Sequence, residues 1–265
     1  MCELFAVNAK HDVTTNDWLR EFFTHSDRNP HGWGMAMFYG SGAVALEKEP
    51  VRADRSLYLK ERLRQEIHVS AMLAHIREAT IGSLDYSNTH PFVDRDQTGR
   101  CWTLVHNGTI FECPVLRPYV FRQEGQTDSE RILLYIIEEM NRKASALQRE
   151  PDWQERCICM DEIIKTIAPG NKVNLLVYDG EILYAHVNLR GTLHFCSIEQ
   201  NDNKIHLFAT KPFPTGVGGQ WEDLPFLTLC AYRDGEQIFR GTPHSYEYHE
   251  DPEKMRYLHM AFAGL

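Results

Sequence analysis

Cys2 directly follows Met1, in the run Met1-Cys2-Glu3-Leu4-Phe5-Ala6-Val7. Methionine is commonly trimmed before a small second residue, and Cys2 would then open the chain with its thiol and a free α-amine on adjacent carbons. An α-amine with a reference pKa of about 7.7–8.0 is partly neutral near pH 7 and can take the proton of a thiol whose pKa is about 8.5. One residue would supply nucleophile and base together. The same run also reads as a buried strand opened by Leu4, Phe5 and Val7, and Cys2 alone does not separate the two readings.

Further segments put polar residues or glycines at the ends of apolar runs, where a rigid scaffold presents reactive groups. In His106-Asn107-Gly108-Thr109 the Asn-Gly pair is first of all a turn signal. A carboxamide followed by a glycine N–H is also a pair of donors for a developing oxyanion. In His75-Ile76-Arg77-Glu78-Ala79-Thr80, Arg77 offers a planar fork for a carboxylate and Thr80 a nearby hydroxyl, while the plainer reading is an exposed arginine at a strand end. His90, in Asn88-Thr89-His90-Pro91-Phe92, reads by itself as a satisfied structural histidine. Pro30-His31-Gly32-Trp33-Gly34 is either a close backbone approach or an ordinary turn. Thr127 caps a helix, and Asp128 beside it suits a ligand ammonium. A thiol nucleophile, two oxyanion donors, an arginine and an aspartate together match an α-amino acid whose side chain ends in an amide. Glutamine, or another γ-glutamyl compound, has that shape.

The elements that must position these groups follow from periodicity. Cys2–Val7, Gly34–Tyr39 and Ser70–His75 read as strands, with Ala43–Glu47 a hairpin partner across Gly40-Ser41-Gly42. Asn16–Thr24 and Ser56–Ile67 have helical spacing, and Trp102–His106 reads as a strand that stops at Asn107-Gly108. From Thr127 an apolar stripe of Ile132, Leu133, Ile136, Ile137 and Met140 predicts a helix, and a second spans about Trp153–Ala168. Strands then follow at Val173–Tyr178, Ile182–Val187, Thr192–Cys196, Ile205–Thr210, Thr228–Tyr232 and Gln237–Arg240, two of the connections being Asp-Gly hairpins. Strands, two helices, then strands predict one domain over 1–265 with two sheets and a helical layer contributed mid-chain.

Composition narrows the partners. With 265 residues, 37 acidic against 28 basic, the net charge of -9 disfavours nucleic acid and anionic membranes, and a small-molecule substrate fits better. No apolar run approaches the roughly 20 residues that span a bilayer, and no leader pattern opens the chain, so a cytoplasmic location is expected. Seven cysteines in a chain of this length do not suggest a disulfide framework. The 13 histidines fall into no metal-ligand spacing, so no metal and no cofactor are expected.

The ordered set of Cys2, HIREAT, NTHPF, HNGTI and QTDSE resembles the class II glutamine amidotransferase domains of the N-terminal nucleophile hydrolases. The resemblance implies an α+β fold, a four-layer αββα sandwich of two mainly antiparallel sheets. It implies Cys2 as nucleophile and base, Asn107 and Gly108 as oxyanion hole, Arg77 and Thr80 on the substrate α-carboxylate, Asp128 on its α-amine, and His90 in support. Many relatives carry an aromatic residue where this chain has Glu78, and the HGWG segment replaces a different glycine-containing loop. With no synthase, isomerase or phosphoribosyl-transferase domain expected, the chain is similar to stand-alone members. Some of these hydrolyse γ-glutamyl bonds and others pass ammonia to a separate protein. A protein partner, self-association, and a non-catalytic γ-glutamyl-binding role if Met1 is retained all stay open.

Overall fold

A computed structural model describes residues 2–40, 43–214, 219–254 and 256. Met1 and the Ser41-Gly42 half of the predicted turn lie outside the described residues. In chain order the elements are β1 (Glu3–Thr14), α1 (Asn16–Thr24), β2 (Trp33–Tyr39), β3 (Ala43–Glu49), α2 (Leu57–Arg62), β4 (His68–Ile76), β5 (Phe92–Arg95) and β6 (Cys101–Thr109). They continue with α3 (Asp128–Leu147), α4 (Trp153–Ile167), β7 (Lys172–Tyr178), β8 (Leu183–His186), β9 (His194–Gln200), β10 (Asn203–Ala209), β11 (Trp221–Asp223), β12 (Cys230–Arg233) and β13 (Glu236–Arg240). A seven-stranded sheet runs β11-β9-β10-β1-β4-β2-β3, and a six-stranded sheet runs β13-β12-β8-β7-β6-β5. Every neighbouring pair in both is antiparallel.

Strand alternation sorts the apolar side chains into three cores. From β1, Leu4 and Ala6 point into a layer between the sheets, where they meet Val105 of β6 and Leu176 of β7. Phe5 and Val7 point the other way, onto Leu19, Phe22 and Phe23 of α1. On the far side of the six-stranded sheet, Trp102, Leu104, Leu175 and Val177 pack against Ile132, Ile136 and Met140 of α3 and Ile163 and Ile164 of α4. Two sheets with helices on each outer face are the expected αββα sandwich. Thr127 Oγ1 accepts the Glu130 N–H at the start of α3, and Asp152 and Glu155 form a reciprocal cap on α4.

Several boundaries differ from the sequence reading for physical reasons. β6 does not stop at Asn107-Gly108: Asn107, Gly108 and Thr109 pair with Asn174, Val173 and Lys172, so a neighbouring strand overrides the local turn preference. β1 continues past Val7 to Thr14 through an irregularity between Asn8 and Val13. The second short helix is confined to Leu57–Arg62, with Ser56 as its cap. β5, β11 and the two-residue hairpin at Asn201-Asp202, both at positive φ, were not expected from the pattern. Asn and Asp tolerate that left-handed backbone, which is why they suit such a turn.

Candidate active site

The face of each strand decides what meets at the open end of the sandwich. Leu4 and Ala6 face the inter-sheet layer, so Cys2, two residues before Leu4, continues that face. The same parity carries Val105 to Asn107 on β6, and Tyr178 and Leu176 to Lys172 on β7. Cys2, Asn107, Gly108 and Thr80 therefore wall one small pocket of about 40 Å³, together with Glu78, Thr109, Lys172, Tyr248 and Glu250. The thiol is held at its rim: Cys2 Sγ lies 3.2 Å from the Glu78 N–H that donates to it and 3.3 Å from the Glu78 carbonyl. Burial raises its pKa, while the charges of Arg77 and Lys172 pull the other way.

The His-Asn-Gly run owes its composition to a crossing of side chains. His106 Nε2 is 3.0 Å from the Lys172 carbonyl, which can only accept, so that nitrogen carries the proton and Nδ1 accepts from Ser129 Oγ at 3.0 Å. The ring lies over Gly108, where a Cβ would stand 2.2 Å from His106 Nε2 and 2.0 Å from the Lys172 carbonyl oxygen. Only glycine fits. On the opposite face, Asn107 Oδ1 accepts from Lys172 Nζ at 3.3 Å, and Asn107 Nδ2 is buried with no hydrogen-bond partner among the described residues. Such an unmade bond costs about 1–3 kcal/mol unless something else accepts it. Here the donor belongs to a side chain that walls the pocket of Cys2.

The remaining predicted residues stand behind this pocket rather than in its wall. Arg77 is not the exposed strand-end arginine of the plainer reading: it is 3% exposed, and its guanidinium donates to the carbonyls of Ile81 (2.8 Å), Ser83 (3.0 Å) and Gly82 (3.2 Å). The HGWG segment fixes its backbone, since His31 N–H donates to the Arg77 carbonyl and Arg77 N–H to the Gly32 carbonyl. His31 Nδ1 also accepts the Ala79 N–H. Asp128 is buried at the start of α3, where its Oδ2 accepts the Ile110 N–H at 2.6 Å. His90 stacks on His75 with ring centroids 4.1 Å apart and its edge to Phe92, away from the pocket wall. Gly34 is what lets it sit there, because a Cβ on that residue would lie 2.1 Å from the His90 carbonyl oxygen.

Lys172 is the residue that the sequence reading missed. Starting the strand at Val173 left it in the preceding turn, although its parity with Leu176 and Tyr178 would have placed it facing the thiol. It is 5% exposed, and burial brings its pKa down to about 8 against the opposing pull of Cys2 and Glu250. Tyr248 and Glu250 left no sequence signal. Tyr248 reaches the pocket because its N–H bonds the Asn188 carbonyl and its ring stacks on Phe111. Among the described residues no group of three His, Cys, Asp or Glu side chains is arranged to hold a metal ion, and no helix is long and apolar enough to cross a membrane.

The sandwich, with Cys2 at the end of its central strand, has the fold of the N-terminal nucleophile hydrolases. It overlays the glutamine phosphoribosylpyrophosphate amidotransferase of B. subtilis with a TM-score of 0.62 at 14% identity, covering 89% of this chain and 48% of that one. A solved predicted glutamine amidotransferase of Pseudomonas aeruginosa matches over 90% of this chain and all of its own, at 20% identity and a TM-score of 0.59. Residues 1–207 match the family model of the class-II glutamine amidotransferases. This chain belongs to that family, and it is an enzyme of the same class. In sequence it is 30% identical to an uncharacterized protein of Methanocaldococcus jannaschii, over 90% of this chain and 71% of that protein. A Haemophilus influenzae protein named as a candidate glutamine amidotransferase is 25% identical over 92% of this chain and 88% of its own length.

Proposed function

We propose that the chain hydrolyses a small γ-glutamyl amide, glutamine or a γ-glutamyl peptide or conjugate, through a thioester on Cys2. The observation that carries this reading is the buried, unpartnered Asn107 Nδ2 in the wall of the Cys2 pocket. With Met1 removed, the Cys2 α-amine takes the thiol proton and Sγ adds to the γ-carbonyl carbon. Asn107 Nδ2 and the Gly108 N–H receive the oxyanion. As the C–N bond breaks, the α-ammonium returns the proton to the leaving amine. Water, deprotonated by the same amine, then releases glutamate and the thiol. Arg77 and Thr80 serve the substrate α-carboxylate, Asp128 its ammonium, and His90 supports the Arg77 side from behind. Arg77 and Asp128 lie outside the wall of the Cys2 pocket, and Arg77 donates to the carbonyls of Ile81, Gly82 and Ser83, so a substrate α-carboxylate has to draw its guanidinium away from them.

The test compares wild type with Cys2→Ala for glutamate release from glutamine, glutathione and small γ-glutamyl amides. The variant should lose at least ~10³-fold of the rate on every substrate that wild type turns over, since only the oxyanion donors and binding remain. Turnover that survives the substitution contradicts the proposal. Delivery of ammonia to a separate protein is the second reading, favoured by the fold shared with the B. subtilis amidotransferase. Rapid turnover of a γ-glutamyl peptide by the isolated chain would speak against it.

A further inference from the structure

We infer that Lys172 is a positioning residue for the oxyanion hole: its ammonium orients the Asn107 carboxamide so that Nδ2, and not Oδ1, meets the developing oxyanion. The inference rests on the γ-glutamyl reading above. A carboxamide is nearly symmetrical in shape, and rotating it by half a turn would put an acceptor where negative charge develops. In the observed orientation Oδ1 accepts from Lys172 Nζ at 3.3 Å, which leaves Nδ2 as the outward donor. In the flipped orientation the two hydrogens of Nδ2 would face an ammonium, a group with three donors and no acceptor. The charged state enforces the choice, because a neutral amine could accept as well as donate.

Lys172 is itself held in place. It pairs with Thr109 in the β6–β7 ladder, two residues along from Asn107. Its carbonyl accepts from His106 Nε2, so one residue grips His106 through its main chain and Asn107 through its side chain. Its side chain is buried in the pocket wall, where Cys2 and the Glu250 carboxylate favour its charge. A second role, direct stabilisation of the Cys2 thiolate, is the competing account. The two differ in whether Lys172 acts through Asn107.

A double-mutant cycle separates them. Lys172→Met keeps the stem and removes the donor; it should lower kcat for glutamate release by about 10–100-fold, with KM changed less than about twofold, out of the ~10²–10³ that one oxyanion donor supplies. In an Asn107→Ala background the same substitution should have no further effect. Lys172→Arg, still a donor-only cation, should recover most of the loss. Losses that multiply in the double variant, or an unchanged kcat in Lys172→Met, overturn the inference. Melting curves check folding, and if Lys172→Met does not fold, the cycle is run with Lys172→Gln, whose amide both donates and accepts and should also lower kcat only where Asn107 is present. If wild type releases no glutamate from any γ-glutamyl amide, it is the underlying reading that fails.

Discussion

Glu3, directly after the proposed nucleophile Cys2, anchors the start of β1. It is 2% exposed, with Oε2 2.7 Å from His25 Nδ1, and Lys211 Nζ and Asn29 Nδ2 on its other oxygen. Burial pushes its carboxyl up, but the hydrogen bonds from His25 and Lys211 outweigh that and leave its pKa below the ordinary glutamate value. A depressed carboxylate pKa gives stability that is complete above the unfolded value of about 4.3 and lost as pH falls through the folded one. Denaturant unfolding as a function of pH should therefore show an acid limb below about pH 4.3. Glu3→Gln should flatten that limb and cost about 1–3 kcal/mol at pH 7, the range for leaving buried polar partners unsatisfied. An unchanged acid limb in the variant would remove Glu3 from this role. Residue chemistry was legible in the sequence as types more than as orientations. Arg77 was recognisable as a fork, but not that the fork closes on the carbonyls of its own 81–83 loop.

Elements carry the parity that brings the site together, and here the sequence spoke clearly in some places and misled in others. Asn16–Thr24 was read to the residue because its apolar spacing and flanks agree. The Asn-Gly pair misled, since a local turn preference says nothing about β7 lying alongside to continue the ladder. That error hid that Asn107 faces the inter-sheet layer, and starting β7 at Val173 hid that Lys172 faces it too. Gly34 shows the opposite case, a glycine flagged in the sequence whose reason appears only in the fold. Its strand β2 passes so close to the His90 carbonyl that Gly34→Ala should cost about 1–3 kcal/mol by overpacking. Equilibrium unfolding of the variant measures this, and stability equal to wild type would mean that the His90-Pro91 segment yields freely.

At the scale of the whole molecule, the order of strands, helices and strands was enough to expect two sheets and a mid-chain helical layer. It did not show that β1 lies between β4 and β10, where residues 5–9 pair with 205–209 and bring the first residues of β1 to the middle of a seven-stranded sheet. Nor did it show that Tyr248, from beyond the family-matching region, closes the same pocket. Contacts of that sequence separation leave no local pattern to read. The sandwich thus holds Cys2 at a central strand end, with Asn107 and Lys172 arriving from the facing sheet. The most direct measurement of the central claim is intact mass with peptide mapping after treatment with a diazoketone analogue of glutamine, which alkylates a nucleophile that accepts a γ-glutamyl group. The account predicts a chain lacking Met1 that carries one adduct, on Cys2, with glutamate release abolished in step. An active chain that retains Met1, or an adduct on any of the other six cysteines with Cys2 unmodified, would contradict it.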